Sequence, residues 1–235
     1  PPTEEYQFQV YKLAAESMGV KKVVIRTADL GGDKTAECLD LGEDKNPAMG
    51  YRGIRVSLDK DDVFKTQLRA ILRASAFGNL SIMFPMITSI DEVTVAKLML
   101  EKAKKELKNE KTAFDEDIQV GVMIETPAAV MISGELAREV DFFSIGTNDL
   151  LQFTLGMDRQ NEKLDRYYNA HHPALLKMIR IITNNVHLEE KHISVCGDLA
   201  ADLELTEYLI QIGVDELSVA PNQVLALRKK IREIQ

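Results

Sequence analysis

The sequence predicts an α/β fold built on a parallel sheet, and three observations carry that prediction. Short apolar runs alternate with amphipathic stretches along the whole chain. The runs are continuous rather than alternating, as expected of strands covered on both faces. Nearly every run closes on a polar or charged residue, which places the chemistry at one end of the sheet.

The elements follow in order. Glu4 to Met18 has helical spacing. Lys22 to Arg26 is a short apolar run, and a Gly- and Asp-rich loop extends from Asp29 to Gly53. Asp61 to Phe77 is helical and ends at Gly78-Asn79. Ser81 to Met86 reads as a strand and Ser89 to Lys108 as a long charged helix. The stretch from Lys108 to Glu116 is the most polar and reads as a solvated loop. Gln119 to Ile124 is a strand, and Pro127 to Glu139 a helix with proline in its first turn. Asp141 to Ile145 is a strand, with helix after Thr147. Pro173 to His187 is a helix, His192 to Cys196 a strand and Leu203 to Ile212 a helix. Asp215 to Val219 is a strand, and Pro221 to Ile234 is the closing helix.

One helix followed by six βα units implies right-handed crossovers in a parallel sheet. A barrel and an open doubly wound sheet both fit. No G-x-G-x-x-G follows a strand, which weakens a dinucleotide-binding sheet, while six units fall short of a closed barrel's eight. No linker or repeat divides the chain, so residues 1–235 read as one domain.

Net charge is −8, which argues against a nucleic-acid surface but leaves room for a phosphorylated small substrate held by a few local cations. The two cysteines, Cys38 and Cys196, form no disulfide framework, so a reducing cytoplasm is expected. No apolar run reaches the roughly 18 residues of a membrane span. The start at Pro1-Pro2 lacks an initiator Met, so a fragment or processed piece is expected.

Strand tips supply the candidate site. Arg26 closes one strand, Glu125 another, Asn148-Asp149 a third and Cys196-Gly197-Asp198 a fourth. In a parallel sheet these tips share one face. Glu125 and Asp149 on adjacent tips suit Mg²⁺, a hard ion that takes one or two carboxylates; the alternative is that each caps the next helix. Arg26, Arg52, Arg55 and Arg159 are shaped to grip phosphate or carboxylate bidentately. Arg26 ends an apolar strand, where an unpaired guanidinium would be costly to bury. Arg52 and Arg55 lie in a Gly-rich loop and could instead pair with structural carboxylates. Gly31-Gly32-Asp33-Lys34 offers backbone N–H groups and a cation, or only a turn. Cys196 reads either as a small buried hydrophobe or as a thiol at the pocket floor able to exchange a proton. His171, His172, His187 and His192 lie near helices and read as exposed or capping, with no zinc pattern among them.

Together these motifs resemble the phosphoenolpyruvate-utilising enzymes. The likeness rests on Val24-Ile25-Arg26-Thr27, on Asn46-Pro47 to Arg55, and on Ile82-Met83-Phe84-Pro85-Met86. Gly121 to Ala129, Asp141 to Leu150, Asp158-Arg159 and Ser194-Val195-Cys196-Gly197 complete it. Gly31-Gly32-Asp33-Lys34 and Arg73 to Gly78 make the chain most similar to the C-terminal domain of the Enzyme I family, ahead of the pyruvate phosphate dikinases and phosphoenolpyruvate synthases. The resemblance implies a (β/α) TIM-type barrel whose first two βα units would precede Pro1, one of them carrying a further phosphate-binding arginine. It implies that Arg26 and Arg159 hold phosphate, Asn148 and the backbone at Asp149 bind phosphoenolpyruvate, Glu125 and Asp149 ligate Mg²⁺, and Arg52 assists. Cys196 would protonate the enolate carbon to give pyruvate. It further implies a separate N-terminal domain with a phosphorylated histidine, a histidine-containing phosphocarrier protein, and a homodimer for which this domain is the contact. A purely dimerising, non-catalytic role is the alternative from another class. Asp198 stands where the family usually has Glu.

Overall fold

The computed structural model describes residues 1–31 and 46–234. The chain forms two compact units, Pro1–Val122 and Met123–Gln235.

In the first unit, α1 (Glu4–Met18) starts where the Thr3 hydroxyl accepts the Tyr6 amide. It is followed by β1 (Val23–Arg26), α2 (Ile54–Asp59), α3 (Asp61–Ser75), β2 (Leu80–Phe84), α4 (Ile90–Asn109) and β3 (Gln119–Ile124). Strands β1, β2 and β3 run parallel in chain order, with Arg26 opposite Met83 and Phe84 opposite Val122. The β3 strand carries the chain into the second unit. Helix α3 buries Phe64, Leu68, Ile71 and Leu72, spaced at three, four and seven residues as one helical face requires. Phe64 meets Phe84 of β2 edge-on, with ring centroids 6.0 Å apart. Helix α4 opens on a capping box: Ser89 accepts the Glu92 amide and Glu92 accepts the Ser89 amide. Outside this core, Arg69 bonds Glu4 at 2.7 Å, Glu106 at 3.1 Å and Glu110 at 2.8 Å, tying α1, α3 and α4 together.

The second unit continues with α5 (Pro127–Met131), α6 (Ser133–Ala137), β4 (Phe142–Gly146), α7 (Thr147–Leu155), α8 (Pro173–Leu188), β5 (His192–Cys196), α9 (Thr206–Gln211), β6 (Glu216–Leu217) and α10 (Val224–Ile234). Strands β4, β5 and β6 are again parallel and in order, with Phe142 opposite His192 and Gly146 opposite Cys196. All five residues of β4 are buried. Ile179, Ile182 and Val186 of α8 add one apolar face to this core.

The predicted parallel α/β class holds, and several boundaries move. Helix α2 fills the stretch between the predicted loop, which ends at Gly53, and the helix predicted from Asp61, and Gly53 opens it without any capping side chain. The single helix expected over 127–139 is two short ones, broken at Ile132, whose φ of −106° and ψ of 19° leave the helical region. The helix expected from Leu203 begins only at Thr206, because Asp202 and its neighbours turn first. The last strand shrinks to two residues. Strand β1 is not covered on both faces: its residues alternate between half-buried and exposed, and Val24 keeps 41% exposure. No helix of the described residues is long and apolar enough to cross a membrane.

Candidate functional site

In the first unit the arginines converge on a carboxylate that no sequence pattern marked. Arg52 is almost fully buried, and its Nη2 donates to Asp29 Oδ2 at 3.0 Å. Arg26 Nη1 lies 3.4 Å from the same oxygen. Asp29 is itself buried, so its charge is offset by two guanidiniums in a low-dielectric setting. Arg26 departs from expectation: its side chain keeps 37% exposure, because it ends the half-exposed β1 strand and needs no burial at all. Arg55 takes the structural alternative, donating to the Gly50 carbonyl at 3.1 Å with its Nε 3.9 Å from Glu92. The Gly32-Asp33-Lys34 stretch and Cys38 lie outside the described residues.

In the second unit the tips of β3, β4 and β5 are knit side by side. Glu125 follows β3 and is 1% exposed. It does not cap α5; the Thr126 hydroxyl does, accepting the Ala129 amide at 3.1 Å. Glu125 packs on Gly146 at the tip of β4, and a Cβ added there would stand 2.7 Å from Glu125 Oε2. Only glycine lets the strand tip pass that close to the carboxylate. Asp149 is buried in the first turn of α7, where the helix dipole favours an anion. The pair therefore offers hard oxygen donors of the kind Mg²⁺ takes. Among the described residues, one group of three brings metal-ligating atoms within 4.8 Å of one another, and it lies elsewhere: His171, Asp202 and Glu204.

Cys196 ends β5 directly opposite Gly146 and is half-buried rather than sealed in the core. The Ser144 hydroxyl donates to its sulfur at 3.5 Å, and its thiol donates to the Ile145 carbonyl at 3.4 Å. The Thr147 hydroxyl donates to the Cys196 carbonyl at 2.8 Å. Asn148 closes the next link: its Nδ2 donates to Asp198 at 3.2 Å, and its Oδ1 accepts the Asp198 amide at 3.1 Å. Between Cys196 and Asp198, Gly197 adopts φ +86°, and a Cβ there would stand 2.5 Å from Thr147 Oγ1. Arg159 is fixed through its backbone, which donates to the buried Gln152 side chain at 2.9 Å.

Tyr168 belongs to this neighbourhood and was missed, because a tyrosine in a polar stretch carries no pattern. Burial pushes its phenol above the ordinary value; the charges of Asp198 and Asp149 act in the same direction, and Arg159 opposes them. One side chain thus senses three of the charged groups at these tips.

The histidines stay apart from this chemistry. His172 caps α8 by accepting the Ala174 amide. His187 and His192 face Asp215 and Glu216 at the opposite, N-terminal ends of β5 and β6. His171 bonds Asp202 at 2.5 Å. Burial would raise the Asp202 carboxyl, but this bond and two backbone amides outweigh it and hold it below the ordinary range.

The parallel strands, with polar and charged residues at their C-terminal ends, define the class as an α/β domain of the kind that carries its chemistry at the strand tips. The chain belongs to the PEP-utilising enzymes: the family model of their PEP-binding domain matches residues 1–235. It is 48% identical over 233 residues to a protein of Haemophilus influenzae named phosphoenolpyruvate-protein phosphotransferase, covering 99% of this chain and 40% of that one. It is 46% identical over 232 residues to the Buchnera aphidicola protein of the same name, covering 99% and 41%. The chain thus spans about two fifths of the length of these relatives. Among solved structures it resembles Haloferax volcanii malate synthase (TM-score 0.58, 15% identity, 97% of this chain and 60% of that one). It also resembles Pyrobaculum aerophilum pyruvate kinase (TM-score 0.53, 19% identity, 75% and 40%). These two likenesses show a shared fold.

Proposed function

We propose that this chain is the phosphoenolpyruvate-binding part of a phosphoenolpyruvate–protein phosphotransferase. In the complete protein, the phosphoryl group passes to a histidine of an N-terminal domain and on to a small phosphocarrier protein for sugar uptake, and pyruvate is released. In this reading the fold is the later part of a TIM-type barrel whose first two βα units precede Pro1. The protein is cytoplasmic and works as a homodimer.

The arrangement around Cys196 carries the proposal. Gly146 opposes Cys196 in register, and Thr147, Asn148 and Asp149 follow immediately, so a proton-bearing thiol, an amide and a carboxylate sit on adjacent strand ends. Arg26 and Arg159 grip phosphate, Arg52 assists, and Asn148, steadied by Asp198, orients the substrate. Glu125 and Asp149 hold Mg²⁺, which when bound neutralises charge on the phosphoryl oxygens. As the P–O bond of the enol ester breaks, the electron pair returns to the enolate, and Cys196 gives its proton to the terminal methylene carbon. The product is the ketone, and the thiolate left behind regains a proton from solvent.

Titration calorimetry of the 235-residue chain tests this assignment. Phosphoenolpyruvate should bind only with Mg²⁺ present, and Glu125→Ala should weaken it by roughly a hundredfold or more, about 3 kcal/mol. Heat of equal size without the metal, or with Glu125→Ala, would remove the assignment.

A further inference from the structure

We infer that Asp29 is a positioning residue that fixes two guanidiniums of the first unit, the phosphate-gripping Arg26 and the assisting Arg52, before substrate arrives, an inference that rests on the function proposed above. Its Oδ2 is shared by Arg52 Nη2 at 3.0 Å and Arg26 Nη1 at 3.4 Å, and its side chain is 1% exposed. Two cations against one anion leave a net single positive charge for a phosphate dianion.

The surrounding backbone is built to hold this carboxylate. The loop beyond β1 is pinned by the Ala28 amide on Gln67 Oε1 at 2.9 Å and by the Gly53 amide on the Leu30 carbonyl at 2.9 Å. Gly53 takes φ +61°, and a Cβ there would stand 2.6 Å from Met86 Cβ and 3.2 Å from Asp29 Oδ1. Met86 itself has φ +57°, which a non-glycine residue adopts only under constraint. Gly53, which opens α2, thus brings bare backbone against this buried carboxylate, with Met86 packed close beside it.

The two possible roles of Asp29 predict opposite signs. If it acted only through its charge, removing that charge beside an anion site would tighten phosphoenolpyruvate binding. If it positions the guanidiniums, the near-isosteric Asp29→Asn should weaken binding tenfold or more in the presence of Mg²⁺, as measured by calorimetry on folded protein. The ³¹P chemical shift of bound phosphoenolpyruvate should also move, which a loss of stability alone does not cause. Binding equal to or tighter than that of the unaltered chain would overturn the inference and leave the proposed function standing.

The unaltered chain supplies a second measurement that does not depend on the variant folding. Before ligand is added, the guanidinium ¹⁵N–¹H signals of Arg26 and Arg52 should show hindered rotation. Freely rotating guanidiniums would refute the clamp. Absent phosphoenolpyruvate binding by the unaltered chain would instead remove the functional proposal, with the clamp still decided by these signals.

Discussion

The arginine cluster of the first unit and the strand-tip cluster of the second solve different electrostatic problems. Arg52 is sealed from water, and a buried guanidinium without a counter-charge would be expensive, so Asp29 accompanies it. In the second unit the charged groups are placed by backbone instead: Glu125 against a bare glycine, Asp149 in a helix's first turn, Cys196 by strand register. Side-chain partners fix the cations, and main-chain geometry fixes the carboxylates and the thiol. Neutralising Asp29 should therefore loosen the guanidiniums of the first unit, and a methyl added at Gly146 should displace the carboxylate of the second.

The largest expected effect that sharpens this contrast is at Gly146. Gly146→Ala places a methyl 2.7 Å from Glu125 Oε2. Mg²⁺-dependent phosphoenolpyruvate binding should fall by roughly tenfold, about 1.4 kcal/mol, while the circular dichroism spectrum stays the same. Unchanged affinity would mean that the carboxylate can shift without consequence.

A smaller effect is expected far from either cluster. Arg69→Ala removes three ion pairs on the rim of α1, α3 and α4. The melting temperature should drop by about 2–4 °C near neutral pH, with ligand affinity unaffected. The hydrogen bond from Arg69 holds the Glu110 carboxyl below its ordinary 4.5. A depressed carboxyl stabilises the fold above the unfolded-state value, and that contribution is lost as pH falls through the folded-state value. The melting difference between the two proteins should therefore shrink as pH falls below about 4.5. A difference constant through that range would mean that Arg69 acts by packing alone.

The smallest effect is spectroscopic. The Tyr168 phenol should titrate above its ordinary value near 10, mainly through burial. Asp198→Asn should lower that value and Arg159→Ala should raise it, as followed by ultraviolet difference absorption. Indifference to both changes would separate Tyr168 from the strand-tip charges.

Much of this was legible in the sequence, for reasons that can be named. Helix α1 and strands β3 and β5 match their predicted spans because a capping Thr, a run of β-branched residues and a terminal charge are all local signals. The polar endings of the strands pointed to Glu125, Asp149 and Cys196. Asp29 and Tyr168 were not legible. Each takes its importance from partners set by tertiary packing, Asp29 from an arginine 23 positions away and Tyr168 from charges on two other segments. Helix α2 was hidden because its start carries no side-chain cap, and the break at Ile132 because a β-branched residue mid-helix is ordinary in sequence.

The most direct test of the central claim replaces Mg²⁺ with paramagnetic Mn²⁺ and follows the ³¹P signal of phosphoenolpyruvate. On the proposal that Glu125 and Asp149 hold the ion beside the phosphate, the line should broaden sharply beyond its width with Mn²⁺ alone when the unaltered chain is present. With Glu125→Gln that extra broadening should vanish. If the variant broadens the signal as fully as the unaltered chain does, the buried carboxylate is not a metal ligand.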